Sequence, residues 1–142
     1  MIPEDFDALC EVTQALYRAE AARMAQVLQE EKRLRAALAR LDAQRAANEA
    51  LPDTDLDGLR QIGGDMIWQA WVGRKKAELQ SELARVLARK GQMAGKLRRA
   101  FGKAEAIEEM AATARAKRRV EARARDATER AQLCVLDKWM SG

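Results

Sequence analysis

The chain has no histidine, two prolines and two cysteines among 142 residues, and its aromatics are three Trp, two Phe and one Tyr. Each shortage removes an option. Without histidine the chain lacks the commonest general base and the commonest metal ligand. Cys10 and Cys134 stand near opposite ends of the sequence with no second Cys nearby, which suits free thiols in a reducing compartment better than a metal site or a bridge. Six aromatics are too few for a compact core of ordinary composition. No apolar run approaches the roughly 18 residues of a membrane-spanning helix. The start, Met1-Ile2-Pro3-Glu4-Asp5, is acidic and has no apolar centre, so no secretory signal is expected.

What remains is charge and helix formers. Charged residues make up 34% of the chain, and Ala, Leu, Arg and Glu dominate, the usage of long helices. The net charge of +4 is unevenly spread: residues 1–52 carry 7 basic and 9 acidic side chains, and residues 111–142 carry 8 and 4.

Proline is absent from Asp65 to Trp139. Through that stretch Val72, Leu79, Val86, Met93, Ala100 and Ile107 recur every seven residues, beside a second row of Leu83, Leu97, Ala104 and Ala111. Alternating steps of four and three place both rows on one side of an α-helix. Lys90 interrupts the second row and Lys76 precedes it; a lysine stem can lie along such a seam with its ammonium in water. A first helix is expected from about residue 4, where Pro3, Glu4 and Asp5 suit a helix start. Its apolar side reads Phe6, Leu9, Thr13, Leu16, Val27, Leu34, Leu38 and Leu41, widened by Met24 and Leu28. Glu20 and Glu31 interrupt that stripe, either to fix register against a basic partner, at some cost in stability, or at its solvated edge.

Between the two stretches, Leu51-Pro52-Asp53-Thr54-Asp55 and Gly58, Gly63 and Gly64 break the pattern. The expected fold is all-α: an antiparallel two-helix coiled-coil hairpin, with a first arm over 4–50, a bend and tip over 51–64 that holds a short, helix-compatible piece from Asp55 to Ile62, and a longer second arm over 65–139. With equal rise and a pivot near residue 57, partners have numbers summing to ~114. The second arm would then overhang the first from about residue 111. Residues 111–131 fit that role, since Val120 is their only aliphatic side chain larger than Ala. Apolar residues return at Leu133, Val135, Leu136, Trp139 and Met140.

No catalytic constellation or cofactor motif is present. Gly91-Gln92-Met93-Ala94-Gly95-Lys96 lacks the spacing and hydroxyl of a phosphate loop, and the carboxylates are scattered along helix faces. A non-enzymatic protein without cofactor is expected. Two partner-binding surfaces stand out. One is the tip, Ile67, Trp68, Trp71 and Val72, where at least one tryptophan should be partly exposed; both could instead staple the tip piece. The other is the basic overhang, Arg115, Lys117, Arg118, Arg119, Arg123 and Arg125, suited to an acidic protein surface. The same charges also suit a solvated coiled-coil exterior or nucleic acid, although no aromatic stacking platform accompanies them.

In layout the chain resembles the FliJ family, the stalk proteins of the flagellar type III export apparatus. The resemblance lies in the early helix, the shorter first arm and the aromatic-to-aliphatic tip from Trp68 to Val72. It continues in the run Arg74-Lys75-Lys76-Ala77-Glu78-Leu79 and in the charged stretch over 103–131, with Lys103, Glu105, Glu108 and Glu109 before the arginines. That resemblance implies a cytoplasmic stalk peripheral to a membrane-embedded export apparatus. It would dock on the export ATPase hexamer through its termini and basic overhang and meet the export gate protein through its tip, with export chaperones as further partners. A basic nucleic-acid-binding coiled coil and a purely structural dimerising rod are the alternatives.

Overall fold

The computed structural model describes the backbone of residues 3–50 and 58–142, with side chains over 5–50 and 63–142. The described chain forms two antiparallel helices, α1 over Pro3–Glu49 and α2 over Gly58–Met140. The expected all-α hairpin with a longer second arm is therefore present. The first part of the expected bend, 51–57, lies outside the described residues. Its second part does not break the helix. Residues 58–64 are the first turns of α2, and neither Gly63 nor Gly64 adopts a positive φ.

Most of the half-buried and buried residues of α1 fall into two rows seven residues apart, with Leu9, Gln14, Ala21, Glu30, Ala37 and Asn48 half-buried beside them. Phe6, Thr13, Glu20, Val27, Leu34 and Leu41 form one; Cys10, Tyr17, Met24, Glu31 and Leu38 form the other. A strict seven-residue repeat is the coiled-coil period. It corrects part of the sequence reading. Leu16 is 58% exposed and Leu28 is exposed as well. Tyr17 holds the seam place expected of Leu16, because a step of four from Thr13 reaches 17, and residue 16 points ~100° to the side; Met24 and Glu31 lie on the seam as expected. Apolar character alone favoured Leu16; register favours Tyr17.

Two compact units divide the hairpin. In the unit over Glu20–Leu97, the core is Val27, Leu34 and Leu41 from α1 against Val72, Leu79 and Val86 from α2. Ala37, Leu38, Trp68, Leu83 and Met93 pack around it. Leu34 is completely buried, and truncating such a side chain to Ala costs about 2–5 kcal/mol. A polar contact sits inside this apolar seam. Glu31 is buried, and its Oε2 accepts a hydrogen bond from Lys90 Nζ at 3.0 Å. Its Oε1 accepts from Arg35 Nη2 at 3.1 Å and Nε at 3.2 Å. The two residues that interrupt the apolar rows of their helices thus meet each other. Lys76–Asp42 at 3.1 Å and Arg89–Glu30 at 3.0 Å flank the seam at the surface, where such pairs contribute only ~0–1 kcal/mol each.

The other unit joins the start of α1, up to Ala19, with α2 from Arg98 onward. Its seam is lined by alanines: Ala104 and Ala111 are buried. Small side chains give little apolar area, and aromatic contact supplements it. Tyr17 and Phe101 lie with ring centroids 5.4 Å apart, tilted by 51°, within the range for favourable ring pairing. Arg115 Nη2 donates to Asp7 Oδ1 at 3.2 Å.

The register differs from the equal-rise expectation. A sum of ~114 would place Asp42 opposite residue 72 and Asp7 opposite residue 107; they pair instead with Lys76 and Arg115. The second helix is displaced by one to two turns because its N-terminal turns run ahead of the end of α1. The overhang is shortened accordingly. Ala111 is buried and Ala114 half-buried, and exposure becomes continuous from Arg115, not from residue 111.

The helical glycines Gly73, Gly91, Gly95 and Gly102 do not mark close approach: a Cβ at each would meet nothing within 4 Å. They lower helix propensity by ~1 kcal/mol each relative to Ala without a packing return.

Lys90 is the main cause that holds the Glu31 carboxyl below its ordinary range, with Arg35 adding to it and desolvation opposing. A carboxylate with a lowered folded value stabilises the fold above the unfolded-chain value and loses that contribution as pH falls through the folded one. The stability difference between the parent and Glu31→Gln should therefore shift against the parent as the solution is acidified through the carboxylate range. Urea unfolding of both proteins at a series of pH values reads it. A difference constant across that range would mean that Glu31 and Lys90 are not paired in solution.

Candidate partner-docking surfaces

The first surface is built by the N-terminal turns of α2. From Gly63 to Trp71 every side chain is exposed except Trp68, and α1, which ends at Glu49, reaches only the last of these turns. Met66 is 69%, Ile67 72% and Trp71 47% exposed. On a helix these three lie within an arc of ~140°, forming one apolar face. Trp68 points elsewhere and packs against the core cluster. Trp68 and Trp71 together with Gln44, Ala47 and Asn48 of α1 line a shallow groove. The four residues expected at the tip therefore divide. Ile67 and Trp71 are presented outward, Trp68 is half-buried as a staple, and Val72 is only 2% exposed and belongs to the core. Val72 offers no surface to a partner, since Lys76–Asp42 and the core fix that turn against α1. Met66 is the member that sequence reading missed. Its signal was its place beside Ile67, one turn before Ala70 and outside both seam rows.

The second surface is the exposed part of α2 beyond Ala114. Arg118, Arg119, Arg123 and Arg125 are exposed and pair with no carboxylate among the described residues. Arg115 is partly occupied by Asp7. Lys117 borders a groove formed by Phe6 of α1 and Glu109, Met110, Thr113 and Ala114 of α2. Lys117, Arg118 and Arg119 are consecutive, so each steps ~100° around the helix and the three face different sides. Farther along, Leu133, Val135, Leu136, Trp139 and Met140 are all exposed, Trp139 at 82%.

The cysteines are free thiols, Cys10 half-buried and Cys134 exposed. Among the described residues no group of three or more His, Cys, Asp or Glu is placed to hold a metal ion. No helix of the described residues is long and apolar enough to cross a membrane. Comparisons with protein-family models, curated proteins and solved structures return no match.

The division of the tryptophans has a measurable consequence. Trp68→Ala should lower the stability of the hairpin by about 1–3 kcal/mol, since it removes a side chain packed on the core. Trp71→Ala should change stability by less than ~1 kcal/mol, as for an exposed position. Denaturant unfolding of the two single variants tests this, and equal losses would place both tryptophans in the core.

Proposed function

We propose that this protein is a non-enzymatic stalk or adaptor of a flagellar-type type III export apparatus. On this reading it works in the cytoplasm, peripheral to the membrane-embedded machinery. The basic segment beyond Ala114 docks on an acidic surface of the hexameric export ATPase, and the Met66–Ile67–Trp71 face meets the export gate protein or chaperones. No cofactor is needed.

The observation that carries the reading is the inequality of the two helices. α2 outreaches α1, so the hairpin presents an exposed apolar face where α2 begins and an exposed basic stretch where it ends. Exposed aromatics of this size are common anchors at interfaces. The basic stretch has the sign needed for electrostatic steering to an acidic partner. The layout resemblance to the FliJ family supplies the identity of the partners.

Binding of nucleic acid is the competing reading, and it rests on the same exposed arginines. It requires affinity that falls steeply with salt and no response from the ATPase.

Reversal of Lys117, Arg118 and Arg119 to Glu should leave helix content unchanged, because all three are exposed. It should slow association with the export ATPase and reduce stimulation of ATP hydrolysis, with the gap between parent and variant narrowing as salt screens the charges. ATPase activity measured against stalk concentration at two salt levels provides the test. Equal stimulation by the reversed variant would remove this segment as the docking element, and lack of co-purification with the ATPase would remove the reading itself.

A further inference from the structure

The export reading uses the arginines beyond Ala114 but leaves the last turns of α2 without a role. Leu133, Val135, Leu136, Trp139 and Met140 are five large apolar side chains, each more than half exposed, within eight residues. At ~100° per residue they occupy one side of the helix, an arc of ~160°. Asp137, Lys138 and Cys134 occupy the other. The preceding turns, 115–130, hold seven basic residues against Glu121, Asp126 and Glu129. An apolar face ending in tryptophan, beside a segment of net positive charge, has the chemistry of a helix that lies in the interface of an anionic bilayer.

We infer that the end of α2, from Arg115 to Met140, docks on an anionic lipid surface, with Leu133, Leu136, Trp139 and Met140 entering the headgroup region and the preceding basic segment attracted by the lipid phosphates. This inference does not depend on the export reading.

Two other occupants fit less well. A second copy of the chain would have to pair along the continuation of the seam rows, which beyond Ala111 and Ala114 run through Arg118, Glu121 and Arg125. Pairing would bring arginines against arginines, and only a little over one heptad of apolar residues follows, where a coiled coil needs about three or four. A protein cleft would meet one side of the helix. Here the charges at 117, 118 and 119 face different sides, and a charged bilayer acts on all of them within a Debye length of about 8–10 Å. A surface-lying helix also needs no membrane-spanning length, in keeping with the lack of such a stretch among the described residues.

The test is co-sedimentation of the full chain with vesicles of phosphatidylcholine alone and of phosphatidylcholine mixed with phosphatidylglycerol. The parent should pellet with the mixed vesicles and remain soluble with phosphatidylcholine. Raising salt to ~0.5 M should weaken binding several-fold. Leu136→Ser combined with Trp139→Ser should weaken it roughly tenfold or more, as expected when large apolar groups are lost from the bound face. Circular dichroism should show unchanged helix content in that variant. Arg118→Gln, Arg123→Gln and Arg125→Gln together should weaken binding and reduce its salt dependence. Absence of pelleting with the mixed vesicles would overturn the inference and hand this face to a protein partner. Equal pelleting of the Ser variant and the parent would overturn the role of the apolar face. A parent that light scattering shows to be dimeric, and a Ser variant that is monomeric, with no vesicle binding by either, would assign the face to a second copy.

Discussion

The hairpin depends on a narrow seam that repeats every seven residues, and within it on the meeting of Glu31 with Lys90. Two helices side by side can bury only one stripe each. The stripe here is thin: Val27, Leu34 and Leu41 against Val72, Leu79 and Val86 in one unit, and alanines in the other. Apolar side chains repeating every seven residues are nearly indifferent to a slip of one heptad. A buried carboxylate is less indifferent: Arg35 on the same helix bonds Oε1 in any register, but a slip would leave the buried Oε2 without Lys90. Glu31 and Lys90 are therefore the contact in the Glu20–Leu97 unit that distinguishes one register from the next. Surface pairs such as Lys76–Asp42 and Arg89–Glu30 agree with that register but are too weak to impose it.

Register then decides what is exposed. With Asp42 beside Lys76, α1 ends at Glu49 near the turn of Trp68, and Met66, Ile67 and Trp71 face outward. With Asp7 beside Arg115, α1 is exhausted there, and the arginines and the final apolar turns stand free of it. Under the proposed function both surfaces act on partners, so one ion pair, buried at Glu31 and partly exposed at Lys90, links folding to the presentation of at least the tip. Its energetic contribution can be small while its effect on which residues are available is large, the use of buried polar groups best attested in coiled coils.

Much of this was legible in the chain, for a physical reason. The rows from Val72 to Ile107 and from Leu83 to Ala111 have the coiled-coil period, and Pro and Gly occur together only at Pro52, Gly58, Gly63 and Gly64, so an antiparallel hairpin with unequal arms follows from spacing alone. The exposed stretch after the alanines was also legible from its polarity. Details that depend on register were not. Leu16 looked like a seam residue and is exposed, whereas Tyr17 lies on the seam against Phe101. The overhang was placed four residues too early, and Val72 was counted among tip residues although it is core. The Leu16 difference comes from reading apolar character ahead of the heptad step within α1, and the position of the overhang from taking the bend as symmetric. Gly58–Gly64 continue α2 as helix, and no propensity argument assigns glycines to a helix start that has no opposing helix to stabilise it. Glu31 and Lys90 were each identified as interruptions of an apolar row, but pairing them needed the register that sequence left undetermined.

The central claim is that register, and it can be read by zero-length carbodiimide cross-linking of the monomeric full chain followed by peptide mass analysis. The account predicts links from Lys90 to Glu31 and from Lys76 to Asp42, whose nitrogen and oxygen atoms lie at 3.0 Å and 3.1 Å. Links from Lys90 to Glu20 in place of Glu31, or links found only between two copies of the chain, would contradict it.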